Sequence, residues 1–350
     1  MATKYGKWSI IRPLTEGGQA RTYIVECAEA PGNEYVLKQL KNIKRLDRFK
    51  QEIQAASELS HSNLLPIRDY RLDGERPYLV TPYCAGGSLA DADLSELSTI
   101  DKLLLFKSIC EGVAYAHAKG VIHRDLKPEN VFLKDDRKTP VVGDFGICFI
   151  SDSGERFTLV DEAVGSRYYI APELEDGKAE LVSAAADVYL LGKLLHWLMT
   201  GKKFSREKHH DEAYDLAKLM PTSEGFLINE VLDRTIVADP SLRYADAGEL
   251  LEALRGLIRR IEMKAHTIGR ETPQECNYCG VGTYHPVVDY RNGKDKMLGD
   301  AHALGFTVQR GHLWLILVCD HCGNVQLFRP DRARHNWIWG EATEHRAPSS

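Results

Sequence analysis

The 350-residue sequence has no long apolar stretch. Its longest hydrophobic run, Leu313–Val318, falls far short of the roughly 18 residues that a membrane-crossing helix needs. The first residues, Met1-Ala2-Thr3-Lys4-Tyr5-Gly6, lead into no hydrophobic segment of the kind that directs secretion. Nor is there an excess of positive charge. The 45 Lys and Arg residues against 50 Asp and Glu leave a formal net charge of -5, which argues against general attraction to nucleic acid or an anionic membrane. These absences predict a cytoplasmic protein with no membrane partner. The remaining composition, 43% hydrophobic and 27% charged, is that of an ordinary globular chain. The length predicts one large domain and one small one.

Cysteine is sparse over most of the chain. Of eight cysteines, Cys27, Cys84, Cys110 and Cys148 stand singly and read as core thiols in a reducing compartment. The other four form two pairs, Cys276-Asn277-Tyr278-Cys279-Gly280 and Cys319-Asp320-His321-Cys322-Gly323. In each pair the glycine lets a tight turn aim backbone N–H groups at the thiolates. Four soft ligands in two such knuckles describe a closed tetrahedral Zn²⁺ site, with no open position for catalysis. A thioredoxin-like redox pair or a disulfide framework does not use two glycine-followed knuckles. Strand-like runs Tyr284–Tyr290, Leu313–Val318 and Val325–Phe328 surround the knuckles, and the whole resembles a zinc ribbon with a long insertion. So small a module lacks a core of its own, and structural zinc contributes roughly 10–16 kcal/mol to such folds. The ribbon is a candidate docking surface for a protein partner. Trp337 and Trp339, with Arg329, Arg332 and Arg334, could stack on bases, although packing on a neighbouring domain is the simpler use.

The chemistry is densest at residues 121–130, Val-Ile-His-Arg-Asp-Leu-Lys-Pro-Glu-Asn. Arg124, Asp125, Lys127 and Asn130 are costly to bring together unless they handle a charged ligand. The stretch matches H-R-D-L-K-P-E-N, the catalytic loop of the protein kinase family, and Asp144-Phe145-Gly146 follows where that family carries D-F-G. The resemblance implies ATP and Mg²⁺ as cofactors and a protein substrate. It implies that Asp125 accepts the hydroxyl proton, that Lys127 steadies the transferring phosphoryl group, and that Asn130 and Asp144 hold Mg²⁺. Lysine two residues after the Asp resembles Ser/Thr rather than tyrosine kinases.

Further matches extend the resemblance over about residues 8–262. Residues 8–40 alternate apolar and polar in runs separated by glycine and predict a three-stranded meander. Its first turn aligns with the glycine-rich loop, keeping the middle Gly17 beside Gly18, while Thr15 and Ala20 replace the outer glycines. Lys38 matches the strand lysine that contacts the α- and β-phosphates, and Glu52, on a helix predicted over 45–59, is its expected partner. Thr81 occupies the gatekeeper position, Cys84 offers hinge backbone to adenine, and Val36 and Phe132 flank the purine. Residues 100–119 predict an amphipathic helix, Leu103, Phe106, Ile109, Val113 and His117 among its inward positions. Gly165–Glu173 resembles the end of the activation segment, with Ser166 bridging Asp125 and Lys127. The usual phosphosite position holds Glu162, so a carboxylate could pair with Arg124 there, with Thr158 a secondary phosphosite. Asp187 is expected to hold the catalytic-loop backbone, and Arg243 to pair with Glu173.

The expected architecture is α+β: a bilobal protein kinase fold with a β-rich N-lobe and a mainly helical C-lobe, followed by a small four-cysteine zinc ribbon. The boundaries expected are 1–265 for the kinase domain, 266–273 for a linker, 274–330 for the ribbon and 331–350 for a tail. An active Ser/Thr protein kinase competes with two rivals. A pseudokinase scaffold would fit the altered glycine loop, but Lys38, Glu52, Asp125, Asn130 and Asp144 are all intact. A kinase acting on a small molecule or nucleic acid would leave the complete Gly165–Glu173 segment without a use.

Overall fold

The computed structural model describes residues 4–16, 20–145, 168–175, 182–220, 223–267, 274–275, 283–286, 315–319 and 325–328. Two compact units divide the chain: Met1–Asp215 with Val231–Leu254, and Leu216–Glu230 with Arg255–Ser350.

The first unit opens with a six-stranded antiparallel sheet in the order β1-β2-β3-β4-β6-β5. Its strands are β1 (Lys4–Tyr5), β2 (Trp8–Glu16), β3 (Ala20–Cys27), β4 (Ala30–Leu40), β5 (Asp69–Arg71) and β6 (Tyr78–Pro82). Alternation sorts its side chains by face. Trp8, Val25, Leu37 and Val80 bury one face together with Tyr5 and Tyr78. Leu40 and Leu79 point the other way and meet Phe49 and Ile53 of α1 (Leu46–Ser57). The expected meander and first helix are both present.

Helix α2 (Thr99–Ala118) starts from a reciprocal capping box, Ser98 with Asp101, and buries Leu103, Phe106, Ile109 and Val113. A hairpin follows, β7 (Val131–Leu133) against β8 (Pro140–Val142). Next come the short α3 (Pro172–Glu175) and α4 (Ala184–Thr200). Helix α4 is apolar nearly all round, as a helix at the centre of a lobe must be. Gly192 in its middle is required by close packing, because a Cβ there would lie 2.2 Å from Thr235 Oγ1. Cys27 and Cys110 are buried free thiols, and Cys84 is half-buried with its thiol pushed up to about 11 by burial. Cys148 lies outside the described residues.

Helices α5 (Leu216–Leu219), α6 (Ser223–Leu232) and α7 (Ala247–Thr267) complete the helical elements described. Helix α7 runs on through Thr267, past the position 265 expected for the domain edge. The second unit also holds an antiparallel sheet in the order β12-β11-β10-β9, formed by β9 (Gln274–Glu275), β10 (Thr283–Pro286), β11 (Leu315–Cys319) and β12 (Val325–Phe328). Its register pairs Glu275 with Thr283, Tyr284 with Cys319, and Val318 with Val325. Glu275, Thr283, Cys319 and Val325 therefore lie at the same end of this sheet. Among the described residues no helix is long and apolar enough to cross a membrane.

Candidate active site

The catalytic-loop residues are held from below by one buried carboxylate. Asp187, in the first turn of α4, accepts the backbone N–H of His123 at Oδ2 and that of Arg124 at Oδ1, each at 2.7 Å. His117, at the end of α2, adds a third bond to Oδ2 at 2.9 Å. Its Nδ1 accepts the N–H of Ala247 at 3.1 Å, so the proton sits on Nε2 and points at Asp187. Burial works to raise the Asp187 pKa, but the bonds from His117 and His123 outweigh it and hold the carboxyl below its ordinary value. Arg124 adopts a left-handed backbone, φ 68°, which a non-glycine residue keeps only where its surroundings impose it. Its Nε is buried without a hydrogen-bond partner among the described residues.

The His123 ring carries the constraint onward. Nδ1 accepts the N–H of Asp125 at 3.3 Å, Nε2 donates to the Gly143 carbonyl at 2.9 Å, and the ring lies 4.6 Å from that of Phe145. One imidazole thereby ties the loop to the residues on both sides of Asp144. Gly143 N–H in turn donates to the Asn130 carbonyl at 2.9 Å.

Above this base, Asp125, Lys127 and Asn130 meet directly. Asp125 Oδ2 accepts from Asn130 Nδ2 at 2.8 Å and from Lys127 Nζ at 2.9 Å. Asn130 Nδ2 also donates to the Asp125 carbonyl at 2.7 Å. Its amide nitrogen is thus spent on the loop, and its remaining chemistry is an oxygen. The Asp125 and Lys127 side chains are each 24% exposed, so the group is braced yet open to a ligand.

Lys38 of β4 pairs with Asp144. Asp144 also has a left-handed backbone, φ 56°. Burial works to raise its pKa, but the charge and hydrogen bond of Lys38, helped by His123 and Lys127, leave it lowered. The sequence expectation gives Lys38 to Glu52, whose side chain lies outside the described residues; Lys38 Nζ is engaged by Asp144.

The hinge follows β6. Thr81 sits opposite Val36 across the β4–β6 ladder. Tyr83 N–H donates to Glu34 O at 3.3 Å, Ala85 N–H to Asp135 Oδ1 at 3.2 Å, and Gly87 N–H to Cys84 O at 3.0 Å. A Cβ on Gly86 would lie 2.6 Å from the carbonyl oxygens of Leu133 and Lys134, so only glycine lets this segment rest against β7. Phe132 of β7 packs near Gly143. Farther off, Arg243 forms a two-pronged pair with Glu173, at 2.7 and 2.9 Å, with its side chain fully buried.

Gly17, Gly18, Ser166, Glu162, Thr158, Cys276, Cys279 and Cys322 lie outside the described residues. Cys319 is the last residue of β11, and its side chain is outside them too. The sequence reading gives His117 no task beyond the apolar face of α2. The available signal was Asp187 in an otherwise apolar helix, since a buried carboxylate demands donors.

A family model for the protein kinase domain matches residues 8–253. The chain belongs to the protein kinase family. Among similar proteins, serine/threonine-protein kinase Pkn1 of Myxococcus xanthus is 28% identical over 73% of this chain and 39% of its own length. Serine/threonine-protein kinase D of Synechocystis is 28% identical over 72% of this chain and 52% of its own length. Serine/threonine-protein kinase PkaA of Streptomyces coelicolor is 34% identical over 56% and 36% respectively. The chain thus spans about half or less of these relatives. A crystal structure of Rad53 residues 1-466 with AMP-PNP shares the fold, with a TM-score of 0.56 and 22% identity over 71% of this chain and 64% of that one.

Proposed function

We propose that the protein is an ATP- and Mg²⁺-dependent Ser/Thr protein kinase. The observation that carries this reading is the Asp125–Asn130–Lys127 cluster, the backbone of His123 and Arg124 that leads into it fixed by Asp187 and its carboxylate open to a ligand. Asp125 Oδ2 is neutralised by Lys127 and Asn130, which orients Oδ1 to take the proton of an incoming protein hydroxyl. Lys127 lies beside that carboxylate and supplies positive charge where the phosphoryl group passes. Lys38 supplies it to the α- and β-phosphates, and leaves Asp144 to do so. The donor set fits Mg²⁺, a hard cation, because the Asn130 amide oxygen and the Asp144 carboxylate are both hard oxygens. When bound, Mg²⁺ neutralises phosphate charge during transfer. Adenine is read by the hinge backbone at Pro82 and Cys84, between Val36 and Phe132 with Thr81 behind. Gly17 and Gly18 cover the phosphates, Glu52 positions Lys38, and Ser166 bridges Asp125 and Lys127. The unpartnered Nε of Arg124 suits an acid from the activation segment, Glu162 or a phosphate on Thr158.

Residues 274–330 are read as a structural zinc ribbon. The strand register supports this, since Glu275, Thr283, Cys319 and Val325, the described strand residues that bracket the other three cysteines in sequence, lie at the same end of the sheet. Two knuckles at one end of a small sheet are what a four-thiolate site needs. Elemental analysis of the full chain, dialysed to remove metal bound outside a closed thiolate site, should find one zinc, lost in Cys279→Ser. We assign the ribbon a protein-docking role, and the protein a cytoplasmic location.

Incubating the full chain with labelled ATP and Mg²⁺, beside Asp125→Ala, tests the catalytic reading. Label on Ser or Thr in the wild type alone supports it. No label with nucleotide still bound would replace it with a scaffold.

A further inference from the structure

Outside the cleft, the first unit holds a second cluster of ligating groups. The 3-10 turn Lys208–His210 carries two consecutive histidines. Neighbouring side chains in a tight turn ordinarily diverge, but here the rings lie 4.3 Å apart and only 41° from parallel. Both Nε2 atoms face one oxygen, Asp233 Oδ1, at 3.3 Å from His209 and 2.6 Å from His210. The three ligand atoms all lie within 4.8 Å of one another.

The buried histidines described elsewhere have their nitrogens committed. His117 and His123 each accept at Nδ1 and donate at Nε2, while His196 faces Tyr214 O and Thr200 Oγ1. His209 differs. It is 5% exposed, and its Nδ1 is buried with no partner among the described residues. No hydrogen bond at Nδ1 locks the proton onto Nε2, so Nε2 is free to present a lone pair toward the cluster.

We propose that His209 Nε2, His210 Nε2 and Asp233 Oδ1 form a site for a borderline divalent transition-metal ion such as Zn²⁺, Co²⁺ or Ni²⁺. Two imidazoles exclude Mg²⁺ and Ca²⁺, which require oxygen ligands, and a single carboxylate completes a three-ligand face. Ligands about 2.0–2.1 Å from a tetrahedral ion stand about 3.3 Å apart. The His209–Asp233 separation of 3.3 Å already has that value. His210 has to open by about 0.7 Å from its 2.6 Å contact, and its side chain is 54% exposed and free to do so. The site opens to solvent on the side of His210 and Asp233, which leaves a position for water. Occupied, it cross-links the turn at 208–210 to the turn at 232–235. The same turn is already anchored to α4, through Tyr189 to Glu207 at 3.0 Å and Lys193 to Arg206 O at 2.8 Å. None of its three ligands is a residue of the cleft or one of the four paired cysteines.

The test uses the full chain without a histidine tag, zinc-replete and dialysed, titrated with Co²⁺ and followed by visible absorption. The wild type should take up one Co²⁺ more than His210→Ala or Asp233→Asn, with ligand-field bands and no thiolate-to-cobalt charge transfer. Affinity should fall at least about tenfold in either variant. Reading the difference between wild type and variant removes any exchange at the cysteines. Melting without added metal shows that the variants fold, and Co²⁺ should raise the melting temperature of the wild type alone. Equal uptake by all three proteins, or extra cobalt carrying thiolate bands, would overturn the site and leave His210 and Asp233 as an ion pair.

Discussion

Asp187 and Asp144 are both held below the ordinary carboxylate range against burial, and they are held in opposite ways. The partners of Asp187 are fixed parts of the fold: two backbone N–H groups and one imidazole whose tautomer is set by Ala247. The partner of Asp144 is the end of a long, flexible lysine from a different sheet. Removing a fixed donor leaves a buried group unsatisfied, whereas a lysine can swing to another anion at little cost. The contrast separates a carboxylate that builds the site from one that is available to a ligand. It also explains why two residues beside these acids, Arg124 and Asp144 itself, can carry left-handed backbones. Each is clamped by the network that runs from Asp187 through His123 to Gly143.

The largest effect expected is on turnover. Asp144→Asn should lower phosphoryl transfer by roughly 10²–10³-fold or more, as loss of a preorganised charge does. It should leave the urea midpoint near that of the wild type, because the partner it strands, Lys38, reaches solvent. Loss of folding in this variant would break the contrast. Asp187→Ala should show the reverse order. It strands two N–H groups and the His117 donor in a site with no solvent access, at a cost of about 3–5 kcal/mol. A fall in the urea midpoint checks it. The same residue sets an acid limb. A folded pKa below the unfolded one contributes stability above the unfolded value, and that stability is lost as pH falls through the folded value. Asp187→Asn should therefore lose less stability than the wild type as pH falls below about 4, the value of an unperturbed Asp.

Much of this was legible in the sequence for a physical reason. The loop 121–130, Asp144, Glu173, Asp187 and Arg243 are polar groups at places where the fold needs them, and such demands leave residue types at fixed spacings. The elements of the main sheet and α2 show in their periodicity. Four things were not legible. Strands β1 and β5, of two and three residues, are too short to carry a period. The contact of Lys38 with Asp144 spans 106 residues and depends on how the sheet sits over the catalytic loop. His117 reads as one more inward position of an amphipathic helix, and only the buried acid on α4 reveals its task. The convergence of His209 and His210 on Asp233 is set by ring torsions within a turn, which no sequence period records.

The lysines repeat the contrast on a smaller scale and give its last test. Lys38 lies in the cleft against a carboxylate, whereas Lys193 is buried in α4. Lys193 donates to the carbonyls of Phe204 and Arg206 at 2.6 and 2.8 Å, and its Nζ lies 3.6 Å from the Phe204 ring centroid. Burial pulls its pKa down to about 7, with Glu207 working the other way. Its value in the unfolded chain is near 10.5, so between those limits the unfolded state binds more protons. Stability must then rise with pH, by up to about 1.4 kcal/mol per unit. Wild type should gain roughly 2–3 kcal/mol between pH 7 and pH 9 relative to Lys193→Met, which has no proton to lose. Urea unfolding at the two pH values measures the difference. Parallel pH dependence in the two proteins would mean that the carbonyls and the ring keep Lys193 charged as effectively as water does. A buried lysine would then be no more committed to its surroundings than Lys38 is to Asp144, and rigid partners would not be what distinguishes the two halves of the comparison.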